Sequence, residues 1–219
     1  MKEVRILLVD DHEVVRNGVR LLIEKVAGWE ICGEAGTGRE AIALAEKLNP
    51  DLIILDVNMP DLNGLDAIRQ IKRNQPETEF LVFTGIENEK LVHDVFEAGA
   101  RSYILKSDIS AHLVAAIEAV SQHKTYFTTK ISEIVFARYL HGKKSPPEDE
   151  NHSSGRLTPR EREIVQLLAE GKSNKQVAAD LGISIKTAET HRAAIMRKLG
   201  FQAFSDLVRY AIRNHIIEA

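Results

Sequence analysis

Short apolar runs alternate with amphipathic stretches along the first two thirds of the chain. The runs RILLV, WEICGEA, DLIILD, EFLVFTG and SYILK begin near residues 5, 29, 51, 79 and 102. Each has strand length and is bounded by polar or turn-forming residues. Between them lie HEVVRNGVRLLIEKV, GREAIALAEKL, GLDAIRQIKR and ENEKLVHDVFEAGA, and SAHLVAAIEAVSQ follows the last run. Their apolar positions recur at helical spacing. Five β-α units of this kind predict an α/β fold, a doubly wound five-stranded parallel sheet with helices on both faces. Leu52 to Leu55 is apolar at every position, as a central strand covered on both faces requires. A further helix, TKISEIVFARYLH, leads into HGKKSPPEDENHSSGR, which has no apolar periodicity and reads as a linker.

Beyond the linker the pattern is all-helical. In LTPREREIVQLLAEG, Thr158 is the expected N-cap, Pro159 the first helical residue and Glu161 the other half of a capping box, with Gly171 past the end. SNKQVAADLG repeats the scheme with Ser173, Gln176 and Gly182. SIKTAETHRAAIMRKLG and FSDLVRYAIRNH supply a third and a fourth helix. The expected organisation is a first domain over 1–124, a connecting helix and flexible linker over 125–155, and an all-α four-helix domain over 156–219.

Charge follows the same division. Residues 1–140 carry 16 Lys and Arg against 22 Asp and Glu, whereas residues 156–219 carry 11 against 7. An acidic front and a basic back suggest modules with different partners. One cysteine rules out an internal disulfide framework and a Cys-cluster zinc site, and Cys32 is expected as a small core residue. No apolar run approaches the roughly 18 residues of a membrane span, and MKEVRILLVDD lacks the features of a signal peptide. The expected compartment is the cytoplasm, with no membrane partner.

Ligands of open parallel sheets bind at the carboxyl ends of the strands. Asp10 and Asp11 follow the first run, Asp56 the third, Thr84 ends the fourth and Lys106 follows the fifth. Three carboxylates at one edge attract a hard divalent cation, and Mg2+ suits such a donor set. A carboxylate can also serve as a nucleophile and form an aspartyl-phosphate. Asp56 is the best nucleophile candidate, with Lys106 and Thr84 placed to hold phosphoryl oxygens and with Pro60 and Gly64 shaping the loop behind it. The histidines show no metal-binding spacing, and His12 reads as a helix-start residue.

The motifs VDD, DVNMPDLNG, TG and ILKS, spread over residues 4 to about 122, resemble those of the receiver domain of two-component response regulators, a flavodoxin-like fold. The resemblance implies that Asp56 is the phosphoacceptor. Asp11, Asp56 and the Asn58 backbone carbonyl would ligate Mg2+, with Asp10 assisting. It further implies that Thr84 and Tyr103 are a switch pair and that Lys106 contacts the phosphoryl group. Ser107 stands where many receivers have proline. Self-phosphorylation and autodephosphorylation would be the only chemistry expected of the chain. A phosphatase built on the same Asp, Thr and Lys would want a second carboxylate where this chain has Asn58.

In the second domain, SNKQVAADLG followed by ISIKTAETHRAAIMRKLG is a helix-turn-helix pattern, whose second helix enters the major groove. Ala188, His191, Ile195 and Leu199 lie on its core-facing side, His191 at the margin. Lys186, Thr187, Glu189, Thr190, Arg192, Ala193 and Arg197 form the expected DNA-facing set. Basic members would meet phosphates, and Glu189, Thr190 and Ala193 would lie nearest base edges. Asn174 and Lys175 open the preceding helix, whose N-terminus would favour a phosphate. The span from LTPRERE to MRKLG resembles the LuxR-type helix-turn-helix domain, with Ala188 where valine is usual. The whole chain resembles the NarL/FixJ subfamily of response regulators. The implied partners are a sensor histidine kinase, double-stranded DNA and a second copy of the chain on DNA, paired through the last helix, with RNA polymerase a further candidate. A helical domain that binds protein instead of DNA is the other reading of the same pattern.

Overall fold

The computed structural model describes residues 3–140 and 157–218, so the expected linker over 141–155 lies outside the described residues. The chain divides into two units. In the first, β1 (Val4–Val9), α1 (Glu13–Ile23), β2 (Trp29–Ala35), α2 (Gly38–Leu48), β3 (Leu52–Leu55) and α3 (Gly64–Asn74) come in that order. They are followed by β4 (Glu79–Thr84), α4 (Glu89–Ala98), β5 (Ser102–Leu105), α5 (Ile109–Ser121), β6 (Tyr126–Phe127) and α6 (Thr129–Leu140). The strand order is β2-β1-β3-β4-β5-β6 and every neighbouring pair is parallel.

The sheet therefore has six strands, not the expected five. Tyr126 and Phe127 pair with Ser102 and Tyr103, and the Tyr126 amide donates to Ser102 Oγ at 3.1 Å. Two residues are too few to show a period, so only the pairing with β5 reveals this strand. It lies past residue 124 and still joins the sheet.

Strand residues alternate between the two faces of the sheet. Ile6, Leu8, Leu52, Ile54, Leu81, Phe83 and Ile104 pack with Val19 and Ile23 of α1 and Leu113, Ile117 and Val120 of α5. The alternate positions, including Leu7, Ile53, Val82, Thr84 and Tyr103, fall on the face covered by α2, α3 and α4. Leu52 to Leu55 is buried at all four positions, as a central strand should be. Cys32 departs from expectation. The β1–β2 register slips from Ile6↔Ile31 to Leu7↔Gly33, which leaves Cys32 as the extra residue of a bulge on the sheet's edge strand. Its thiol is half-buried, and Sγ donates to the Ile6 carbonyl at 3.4 Å.

In the second unit, α7 (Pro159–Ala169), α8 (Asn174–Asp180), α9 (Ile185–Lys198) and α10 (Phe204–Arg213) enclose a core of Ile164, Leu167, Leu168, Val177, Ala188, Ile195, Leu207 and Ala211. Both expected capping boxes are present, Thr158 with Glu161 and Ser173 with Gln176. Gly182 takes the left-handed conformation, φ +63°, that lets α8 stop and the chain turn into α9. Two polar contacts fix the helices: Arg160 donates to the Leu181 carbonyl at 2.9 Å, and Lys198 pairs with Glu161 at 2.7 Å.

Candidate functional site

The sheet reverses its direction of growth at β1, whose neighbours are β2 on one side and β3 on the other. The carboxyl ends of β1 and β3 thus flank the crevice where such sheets bind ligands. Val9 pairs with Leu55, so Asp10 and Asp56 emerge side by side, and the Asp56 amide donates to the Val9 carbonyl at 2.9 Å. On the other flank Thr84 pairs with Leu105, which brings Lys106 to the same edge. The loop after β3 turns tightly into α3, with Asn63 as its N-cap and the Gly64 amide donating to the Val57 carbonyl at 2.8 Å. A Cβ at Gly64 would lie 2.2 Å from the Asp56 carbonyl oxygen, so only glycine allows α3 this close to the acidic edge.

Asp10 and Asp56 are buried, while Asp11 reaches solvent. Lys106 Nζ lies 2.7 Å from Asp56 Oδ2 and 2.6 Å from Asp10 Oδ2. The contact with Asp56 is a hydrogen bond, whereas that with Asp10 is an ion pair without good hydrogen-bond alignment. The other Asp56 oxygen accepts from the Val57 amide at 2.7 Å and from the Asn58 amide at 3.4 Å. Burial pushes the Asp56 carboxyl above its ordinary pKa, and the Lys106 ammonium only partly offsets this. Burial acts to lower the Lys106 pKa, but the Asp56 and Asp10 carboxylates outweigh it and leave it raised.

Thr84 Oγ1 is buried and has no hydrogen-bond partner. It lies close enough to Asp56 to stabilise that carboxylate slightly, yet not in bonding geometry. A buried hydroxyl left open beside a carboxylate is a vacant donor for an arriving oxyanion. Tyr103 shares its face of the sheet with Thr84. Its ring is already fully buried, and its hydroxyl donates to the Ile86 carbonyl. Lys106 to Asp108 form a short 3-10 turn, and the described residues contain no cis peptide bond, so Ser107 follows Lys106 in trans.

The structure thus brings together Asp10, Asp11, Asp56, Asn58, Thr84 and Lys106 from four strand ends. It also adds a residue read only as a helix start. His12 is the N-cap residue of α1, and its Nδ1 lies 2.8 Å from Asp11 and 3.3 Å from Asp10. Ligand atoms of Asp10, Asp11, His12 and Asp56 all fall within 4.8 Å of one another. Three carboxylates against one lysine leave the pocket short of positive charge, and this donor set fits a divalent cation. Arg16, also missed in the sequence, donates to the Asp10 carbonyl at 2.6 Å and steadies the strand end from α1.

In the second unit, Lys186, Thr187, Glu189, Thr190, Ala193 and Arg197 are exposed along α9, opposite the buried Ala188 and Ile195, with His191 half-buried at the margin. Lys175 is exposed at the start of α8 and Asn174 half-buried. Two hydroxyls are already engaged: Thr190 donates to the Lys186 carbonyl and Thr187 shares a bond with Ser184, each at 2.8 Å. Arg192 is less exposed than these residues. It is half-buried, and its guanidinium lies 5.2 Å from the centroid of the Phe204 ring.

Comparison with known proteins agrees with both units. Residues 6–118 match the response regulator receiver domain, and residues 155–211 match the luxR family of bacterial regulatory proteins. The chain is 39% identical to the transcriptional regulatory protein LiaR of Bacillus subtilis, over 98% of this chain and 99% of that protein. It is 35% identical to the response regulator protein VraR of Staphylococcus aureus, again over 98% and 99%. Among solved structures, RcsB from Salmonella enterica serovar Typhimurium, bound to a promoter in the presence of the phosphomimetic BeF3−, aligns with a TM-score of 0.59. That match has 25% identity and covers 95% of this chain and 98% of the other.

Proposed function

The chain belongs to the DNA-binding response regulators of the NarL/FixJ subfamily, and from that premise we propose that Asp56 is the phosphoacceptor through which its transcriptional activity is controlled. An ionised Asp56 oxygen attacks the phosphorus of a phosphohistidine on a sensor histidine kinase. The P–N bond breaks, the imidazole leaves, and an acyl phosphate forms on Asp56. Lys106 then pairs with a phosphoryl oxygen and Thr84 donates its open hydroxyl to another. Mg2+, held by Asp10, Asp11, Asp56 and the Asn58 backbone carbonyl, would supply the charge neutralisation that phosphoryl transfer requires. Hydrolysis of the acyl phosphate by water returns the carboxylate.

The observation that carries this reading is the pairing of a buried carboxylate with Lys106 at 2.7 Å beside a buried hydroxyl that has no partner. Phosphorylation adds charge and acceptor oxygens at that point. Thr84 shifts toward them, and the β4–α4 loop, tied to Tyr103 through the Ile86 carbonyl, shifts with it. The changed surface relieves the helix-turn-helix unit, promotes pairing of two chains through α10, or both. A dimer would place two copies of α9 on two half-sites of a DNA duplex, a cytoplasmic event in which RNA polymerase is a further candidate partner.

Labelling with acetyl phosphate tests the assignment: wild-type chain gains one phosphoryl mass and Asp56→Asn gains none. Persistent labelling of that variant sinks the acceptor role. Gel shifts with and without acetyl phosphate test control, and equal affinity and stoichiometry in both states would refute it.

A further inference from the structure

The half-buried Arg192 sits on the margin of α9, the helix on which the DNA-binding reading rests, and its guanidinium lies over an aromatic ring from a different helix. Phe204 is the first residue of α10 and is 39% exposed, among the few large apolar side chains that the second unit leaves in solvent. The ring is engaged by its neighbour. The guanidinium carbon lies 5.2 Å from the ring centroid, within the range of a cation–π contact. A guanidinium that lays its face on a ring keeps its edges, which carry the N–H donors, available.

The helix that carries the ring is held in place. Leu207 and Ala211 of α10 are buried in the core, and the Phe201 and Tyr210 rings pack edge-on at 5.6 Å, fixing α10 against the chain leaving α9. Asp206 accepts from the Ala203 amide at 3.0 Å and closes the turn just before Phe204. Arginine has several rotatable bonds, and ordering it at an interface costs free energy. A ring on an anchored helix that orders it before contact removes part of that cost.

We infer that Phe204 is a positioning residue for DNA binding: it holds the Arg192 guanidinium on its ring so that the N–H edge faces a backbone phosphate beside α9. This rests on the reading of α9 as a DNA-contacting helix. Phe204 touches no base and carries no charge; it acts through Arg192.

The test is binding of the full-length chain to a mixed-sequence DNA duplex, read by fluorescence anisotropy across a series of salt concentrations. Non-specific binding suits it because phosphate contacts supply nearly all of that affinity. Arg192→Ala should weaken binding and flatten the slope of log K against log salt by about one unit. Phe204→Leu keeps the charge and should weaken binding about two- to fivefold. Phe204→Trp, which restores an aromatic face, should return it to the wild-type value. In the Arg192→Ala background Phe204→Leu should do nothing further. Thermal midpoints of Phe204→Leu and Phe204→Trp, measured alongside, separate positioning from folding.

Wild-type affinity for Phe204→Leu, or an equal loss with and without Arg192, overturns the inference; the latter would assign the ring to contact between copies of the chain. If the wild-type chain itself shows no salt-dependent duplex binding, the DNA-contacting reading of α9 fails first.

Discussion

Lys106 and Asp56 face each other at 2.7 Å across the carboxyl edge of the sheet, and the same ammonium lies 2.6 Å from Asp10. The lysine therefore occupies the position from which it can release two carboxylates to a cation and turn to an incoming phosphoryl group. Its removal should have opposite effects on these two ligands. In Lys106→Met the pocket loses the only close ammonium among the described residues, so Mg2+ should bind more tightly, by about tenfold or 1.4 kcal/mol. Phosphorylation by acetyl phosphate should slow by about 100-fold, the typical cost of deleting one preorganised donor. Calorimetric titration with MgCl2 and a labelling time course measure the two arms. Weaker Mg2+ binding in the variant would contradict the charge argument.

Asp11 differs from its neighbour in being exposed and clear of Lys106, so a bound cation would draw on it more than the lysine does. Mg2+ at about 100 times its dissociation constant should stabilise the wild-type receiver by about 2.7 kcal/mol. Asp11→Ala should abolish that thermal shift and leave the stability without Mg2+ nearly unchanged. The sign of the Asp56 shift yields a companion expectation. A carboxyl whose pKa is raised on folding contributes most below its unfolded pKa, and that contribution is lost as pH rises through the folded value. At neutral pH and without a cation, Asp56→Asn should therefore raise the thermal midpoint. A lowered midpoint would mean that the Lys106 pair outweighs burial.

Glycines near the site separate geometry from chemistry. A Cβ on Gly64 would meet the Asp56 carbonyl oxygen at 2.2 Å, Leu55 Cδ2 at 2.6 Å and Val57 Cα at 2.9 Å. Two of these are backbone atoms that cannot step aside. Gly64→Ala should cost about 3 kcal/mol and displace the loop after β3. A Cβ on Gly85, which follows Thr84, would meet nothing within 4 Å. Gly85→Ala should stay within about 0.5 kcal/mol of wild type. Urea denaturation of both variants checks the contrast.

Much of this site could be read in the chain because strand ends are marked by a change from apolar to charged residues. Leu52 to Leu55 followed by Asp56 locates both the central strand and the acceptor candidate. What the sequence did not show were features with no period of their own. Tyr126 and Phe127 form a strand only because β5 offers an edge. Cys32 leaves the core only because the β1–β2 register slips beside it. His12 and Arg16 follow the acid pair closely, yet nothing in their spacing says that the α1 start folds back over Asp10. Phe204 lies 12 positions from Arg192 on a separate helix, a meeting that only tertiary packing could reveal.

The second unit carries its own titration. Burial alone would raise the Glu161 carboxyl, but Lys198 at 2.7 Å and the Thr158 backbone amide outweigh it, so its pKa lies below the ordinary 4.5. A depressed carboxylate stabilises fully above its unfolded pKa, and that contribution is lost as pH falls through the folded value. The first turn of α7 and its tie to the last turn of α9 should therefore hold from neutral pH down to about 4.5 and loosen below it. Glu161→Gln keeps the side-chain oxygen of the capping box but removes the charge paired with Lys198. It should cost about 1 kcal/mol at pH 7 and lose most of that difference in acid, where the wild-type residue is itself protonated. Hydrogen exchange in α7, followed from neutral pH to about pH 3.5, measures this directly. Equal exchange in wild type and Glu161→Gln at pH 7 would show that the Lys198 pair is solvated away, as exposed ion pairs often are.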